Sequence, residues 1–175
     1  MDRHFLHLYT GDGKGKTSAA MGLALRMLGH GQPVVIAQFM KDGTSGELRA
    51  IKSLPRVHIF EGARMKGFVF RMTEPQLEEA RRSQTEAVNR LIGEIIQWEP
   101  RLTVLDELSV AIATRLIHEE DAWRLIDTAL RFGDTAVTGR YASARLEEKA
   151  DYVSRIEAVK HPFNEGQPAR EGIEW

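Results

Sequence analysis

A chain of 175 residues, 42% hydrophobic and 28% charged, has the size and composition of about one globular domain, able to bury roughly 70% of its unfolded surface; residues 1–175 are read as one domain. The absence of cysteine excludes thiolate nucleophiles, Cys-ligated zinc, iron–sulfur clusters and CxxC redox chemistry, and fits a reducing cytoplasm. A net charge of -1 argues against a nucleic-acid backbone or an anionic membrane as main partner, so any phosphate binding has to be local.

Met1 to Tyr9 lacks the basic and long apolar regions of a signal peptide. The longest strongly apolar stretch, around Pro33 to Met40, is less than half the ~20 residues that a membrane helix requires. Short apolar runs alternate with segments of helical period, the pattern of βαβ units and a parallel sheet. Strands are predicted at 4–9, 33–39, 57–61, 102–106, 134–138 and 152–159. The first helix starts near Thr17, runs through Ala20, Leu23, Ala24 and Leu28, apolar on most sides, and stops at Gly29 or Gly31. The clearest helix lies between Thr73 and Trp98, where Leu77, Ala80, Ala87, Val88, Leu91, Ile92 and Ile95 recur at three and four. Thr73 with Gln76 makes a capping box, and Pro100 ends the helix. Further helices are predicted at 108–117, 119–132 and 142–150, whereas 62–72 and 161–175 have no clear periodicity.

The strongest chemical signal is the run Thr10-Gly11-Asp12-Gly13-Lys14-Gly15-Lys16-Thr17, followed by Ser18, between an apolar strand and a helix. It reads as a P-loop. Glycines let backbone N–H groups cradle phosphate oxygens, Lys16 supplies a point charge, the Thr17 hydroxyl can reach Mg²⁺, and the helix dipole favours the anion. The spacing departs from GxxxxGK[ST], because the first glycine comes one position late and Thr10 occupies its place. Leu102-Thr103-Val104-Leu105-Asp106-Glu107 is an apolar strand ending in two carboxylates and reads as a Walker B segment, whose acid holds Mg²⁺ directly or through water.

Strand ends at Thr10, Gln38 to Lys41, Asp106-Glu107, Thr138-Gly139-Arg140 and Lys160-His161 converge on one edge if the strands are parallel, which is where such sheets bind ligands. The six histidines show no metal-ligand spacing, and no Ser, His and Asp set can be assembled. Phe68 and Phe70 alternate as one buried strand face would. On these residues alone, a P-loop ATPase or small-molecule kinase and a nucleotide-dependent binding protein remain open.

The chain resembles the P-loop corrinoid adenosyltransferases almost from end to end. The resemblance rests on TGDGKGKT, Gly29-His30-Gly31, Gln38-Phe39 with Lys41, Gly46-Glu47, Leu105-Asp106-Glu107-Leu108, Thr138-Gly139-Arg140, and Val159-Lys160-His161-Pro162-Phe163 with Gly172-Ile173-Glu174. It implies a RecA-like, mostly parallel α/β fold, a homodimer, and ATP with Mg²⁺. It also implies a reaction in which a Co(I) corrinoid attacks C5′ of ATP and expels triphosphate, with an electron-donating reductase as partner. The protein then needs no nucleophile of its own, in keeping with the residues it lacks. Carried onto this chain, the resemblance implies ATP contacts from Thr10 to Ser18, Lys41 and Arg140. It implies Mg²⁺ ligation through Thr17, Asp106 and Glu107, and catalytic roles for Lys16, Asp106, Glu107 and Arg140. Phe68 and Phe70 would lie under the corrin ring and keep a lower axial ligand off cobalt.

Overall fold

The computed structural model describes residues 3–40, 45–62 and 72–173. Six strands, β1 (Leu6–Thr10), β2 (Val34–Gln38), β3 (Val57–Phe60), β4 (Leu102–Asp106), β5 (Asp134–Thr138) and β6 (Tyr152–Arg155), form one sheet in the order β3-β2-β4-β5-β1-β6. Every neighbouring pair is parallel. Parallel strands require crossovers, and these carry the helices α1 (Lys16–Gly29), α2 (Gly46–Ile51), α3 (Glu74–Trp98), α4 (Leu108–Ala113), α5 (Glu119–Ala129) and α6 (Ala144–Lys149).

Strands β2 and β4 are buried on both faces, which is why they read as nearly continuous apolar runs. On one face, Ala20, Met21, Ala24 and Leu28 of α1 pack with Val34, Ile36, Leu102, Val104 and Ala136. On the other, Val88, Leu91 and Ile95 of α3 join Leu125, Ile126 and Ala129 of α5 over Leu8, Val35, Leu105 and Val137. Fully burying one such aliphatic side chain contributes about 1.5–3 kcal/mol. The sheet edge that carries the site is thus built on the best-packed part of the chain.

The main departures from the sequence reading occur at element ends. Helix α1 buries a stripe rather than most of its surface, and Leu25 is exposed. Helix α2 was not predicted, because six residues are too few to show a period. Helix α4 stops at Ala113, four residues early: the Thr114 hydroxyl donates back to Val110 O at 2.8 Å, and Arg115 turns left-handed at φ 56. Helices α5 and α6 are likewise shorter than the predicted spans. Strand β6 ends at Arg155 rather than at residue 159, because the chain there turns onto the loop after β1: Ile156 N donates to Thr10 O, and Gly13 N donates to Ile156 O, each at 2.8 Å. Lys160 and His161 therefore lie beyond the sheet, and His161 precedes a 3-10 turn over Pro162–Glu165.

Capping of α3 agrees with the sequence: Thr73 N donates to Gln76 Oε1 at 2.9 Å, and Glu99, left-handed at φ 44, closes the helix before Pro100. Among the described residues, no helix is long and apolar enough to cross a membrane.

Candidate active site

The strand order sets Gln38, Asp106, Thr138 and Thr10 side by side at the carboxyl ends of β2, β4, β5 and β1. The convergence expected from the sequence is realised for these four, all on parallel strands. Asp106 is the hub. Its carboxylate is fully buried, with Oδ1 accepting the Thr17 hydroxyl at 2.8 Å and the Thr138 hydroxyl at 2.7 Å, while Oδ2 accepts Gln38 Nε2 at 2.9 Å. A buried carboxylate is tolerated when charge-assisted hydrogen bonds of this kind replace its water.

Around that hub the neighbours are themselves fixed. The Thr138 hydroxyl accepts Glu107 N at 2.9 Å, which orients the left-handed residue (φ 62) that leads into α4. Gln38 Oε1 accepts the Ser45 hydroxyl at 3.0 Å, and its Nε2 lies 3.4 Å from Glu47 Oε1. The sequence marks Thr138 and Gln38 as strand ends without assigning them a role. Their signal was positional: Gln38 and Asp106 are register partners, and Thr138 pairs with Tyr9, next to Thr10.

The loop from Thr10 to Thr17 connects β1 to the 14-residue helix α1, whose first-turn N–H groups have no partner within the helix and whose N-terminus is the positive end of the dipole. Gly11 at φ 103 and Gly15 at φ 120 adopt backbone that side chains disfavour. Gly13 is needed for a different reason: a Cβ there would lie 2.7 Å from the Glu157 backbone. Ile156 and Glu157 thus strap the loop from outside, an element that no local motif announces.

Lys16 is only 7% exposed, and its Nζ donates to Gly13 O at 2.7 Å. Burial pulls its pKa below the ordinary lysine value, and Arg140 pulls it the same way, while Glu107 and Asp12 oppose them. Arg140 reaches the loop itself, with Nη2 3.4 Å from Asp12 O. Two cations are therefore held beside one glycine-rich loop, with a carboxylate behind them. Asp12, Lys14 and Ser18 are exposed at the rim. Lys41, Phe68 and Phe70 lie outside the described residues.

This arrangement can hold a polyphosphate at the helix N-terminus with a hydroxyl and an acid beside it. Over residues 2–175 the sequence matches the family described as ATP:corrinoid adenosyltransferase BtuR/CobO/CobP. The chain belongs to that family. The family's activity, which this enzyme shares, is transfer of an adenosyl group from ATP to a corrinoid. The enzyme is similar to the corrinoid adenosyltransferase CobA of Salmonella typhimurium, at 34% identity over 99% of this chain and 87% of the relative. It is 31% identical to the corrinoid adenosyltransferase of Pseudomonas aeruginosa, over 99% of this chain and 85% of that one. The corrinoid adenosyltransferase of Escherichia coli strain K12 is also 31% identical, over 99% of this chain and 87% of the relative.

Proposed function

We propose that Thr10 to Ser18 hold the triphosphate of ATP, that Lys16 and Arg140 neutralise it as it leaves, and that the adenosyl carbon faces a reduced corrinoid. The bond from Thr17 Oγ1 to Asp106 Oδ1 carries this reading, because it places the loop hydroxyl against the strand acid. In the reaction the Co(I) electron pair forms the bond to C5′, the C5′–O bond breaks, and its pair departs with inorganic triphosphate. Charge grows on the leaving oxygen, so the groups that matter are cations and N–H donors already in place. Burial strengthens the effect of Lys16, since a charge shielded from water acts at lower dielectric.

The residues present fit Mg²⁺. This ion takes one or two carboxylates with substrate phosphates and water, rather than an all-protein cage. Thr17 and Asp106, joined by their hydrogen bond, are that kind of donor set, and the charge of Glu107 acts on neighbouring Lys16. When bound, Mg²⁺ would supply charge neutralisation of the triphosphate.

The resemblance supports the remaining assignments: Lys41 at ATP, Phe68 and Phe70 beneath the corrin ring, ATP reversed relative to ordinary P-loop enzymes, a homodimer, an external reductase and a cytoplasmic setting. The test is one incubation with Mg-ATP and chemically pre-reduced corrinoid. Adenosylated corrinoid and inorganic triphosphate should form one to one, and release of ADP instead would overturn the reading.

A further inference from the structure

We propose that Tyr141 presents its ring to the flat, conjugated face of a substrate of this reaction, either adenine or the corrin. The inference rests on the placement of ATP proposed above. Tyr141 is 69% exposed and left-handed at φ 59. A bulky residue in that conformation is an outlier, of the kind that concentrates where a site imposes its own geometry.

The surrounding turn fixes this conformation from both sides. Before it, the Thr138 hydroxyl is bound to Asp106 and Gly139 N donates to Tyr9 O at 3.2 Å. A side chain at Gly139 would be strained at φ 138 and would press on Ser109 Cβ at 3.0 Å. Arg140 then reaches Asp12 O on the nucleotide loop. After it, Ala142 packs against the core, and the Ser143 hydroxyl accepts Leu146 N at 3.2 Å to start α6. Glycine or asparagine would take this backbone at little cost. Nothing in the fold calls for tyrosine instead: among the described residues its ring makes no ring contact and its hydroxyl no hydrogen bond.

What the turn does accomplish is placement. It holds an exposed aromatic one residue past the guanidinium that touches the nucleotide loop, at the ligand-binding edge of the sheet. Triphosphate offers such a ring nothing, whereas adenine and corrin both offer a π face. Aromatic stacking of this kind is worth about a 2- to 12-fold change in affinity.

The experiment compares wild type, Tyr141→Asn, Tyr141→Phe and Lys16→Ala as full-length chains. It measures the Kd for Mg-ATP by calorimetry, KM and kcat for pre-reduced corrinoid, and Tm. Tyr141→Asn relieves the backbone and should melt no lower than wild type, yet weaken one or both substrates by roughly 2- to 12-fold. Weaker ATP alone identifies adenine as the partner, and a raised corrinoid KM alone identifies the corrin. Tyr141→Phe keeps the ring and should match wild type. Wild-type affinities for both substrates in Tyr141→Asn, or equal losses in the Phe variant, overturn the proposal. Lys16→Ala separates the two readings: if it too binds ATP normally, the placement of the triphosphate is wrong, whereas if it alone loses ATP, only the role of Tyr141 falls.

Discussion

Thr17 and Asp106, 89 residues apart in the chain, are joined by a 2.8 Å hydrogen bond from hydroxyl to carboxylate. It locks the first turn of α1 to the end of β4, so the loop cannot move without disturbing the acid.

Asp106→Asn tests that coupling. An amide cannot accept on both sides: its NH₂ must face either the two threonine hydroxyls or the Gln38 amide, which are donors to the native carboxylate. One buried mismatch costs about 1–3 kcal/mol. The variant should lose stability by that amount and kcat by on the order of 10²-fold, the usual cost of one electrostatic group in such a site. Denaturant unfolding and a Mg²⁺ titration of the rate check both, and wild-type turnover at equal Mg²⁺ would remove Asp106 from the site.

Lys16 should make ATP binding pH-dependent. Burial first, and Arg140 second, lower its pKa in the free enzyme. Bound triphosphate favours the ammonium, so above that lowered value binding takes up a proton. Affinity should be level below it and weaken by up to ~10-fold per pH unit above it. The sign for folding is opposite: between the lowered native value and the ordinary ~10.4, the unfolded chain holds more protons, so this group makes stability rise with pH. Calorimetry in two buffers of different ionisation enthalpy reads the proton uptake, which Lys16→Met should abolish. Equal proton counts for wild type and that variant would contradict the assignment.

The order of elements was legible because β2 and β4 are buried on both faces and write their position as apolar runs, while β1 alternates buried Leu6 and Leu8 with half-buried His7 and Tyr9. The loop and its acid were legible because their chemistry is local in sequence. Less visible was whatever depends on who stands next to whom: Thr138 and Gln38 acquire a role only when the strand order sets them beside Asp106. The sequence extends β6 too far because Val153, Ile156 and Val159 are β-branched, yet Ile156 and Glu157 are drawn onto Gly13. Tyr141 gave no signal of its own, since its left-handed position is held by neither glycine nor asparagine.

Thr103 and Thr135 are register partners in the middle of the sheet, and both hydroxyls are buried with no hydrogen-bond partner among the described residues. Thr→Val keeps the shape and removes the desolvated group. Each substitution should raise stability by about 1 kcal/mol, roughly 2–4 °C in Tm for a chain of this size. Thermal unfolding of the two single variants and the double variant decides it. A lowered Tm would mean that a buried water satisfies the pair.

Ile156 and Glu157 crowd the glycine-rich loop from outside. Gly13 does not need a positive φ; what forbids a side chain there is the Glu157 backbone at 2.7 Å and Ile156 Cγ2 at 2.9 Å. Gly13→Ala must therefore displace either the strap or the loop, and the 2.8 Å bond from Gly13 N to Ile156 O is lost with it. Overpacking of this kind costs about 1–3 kcal/mol. Because the clash falls on the loop proposed to hold triphosphate, the cost should appear twice: as a lower Tm and as ATP affinity weakened ~10-fold or more. Gly22→Ala is the matched control. It lies within α1 with nothing among the described residues within 4 Å of the added carbon, so it should gain about 0.5–1 kcal/mol and leave ATP binding unchanged. Should Gly13→Ala melt and bind ATP as wild type does, residues 156 and 157 merely lie beside the loop and do not hold its shape.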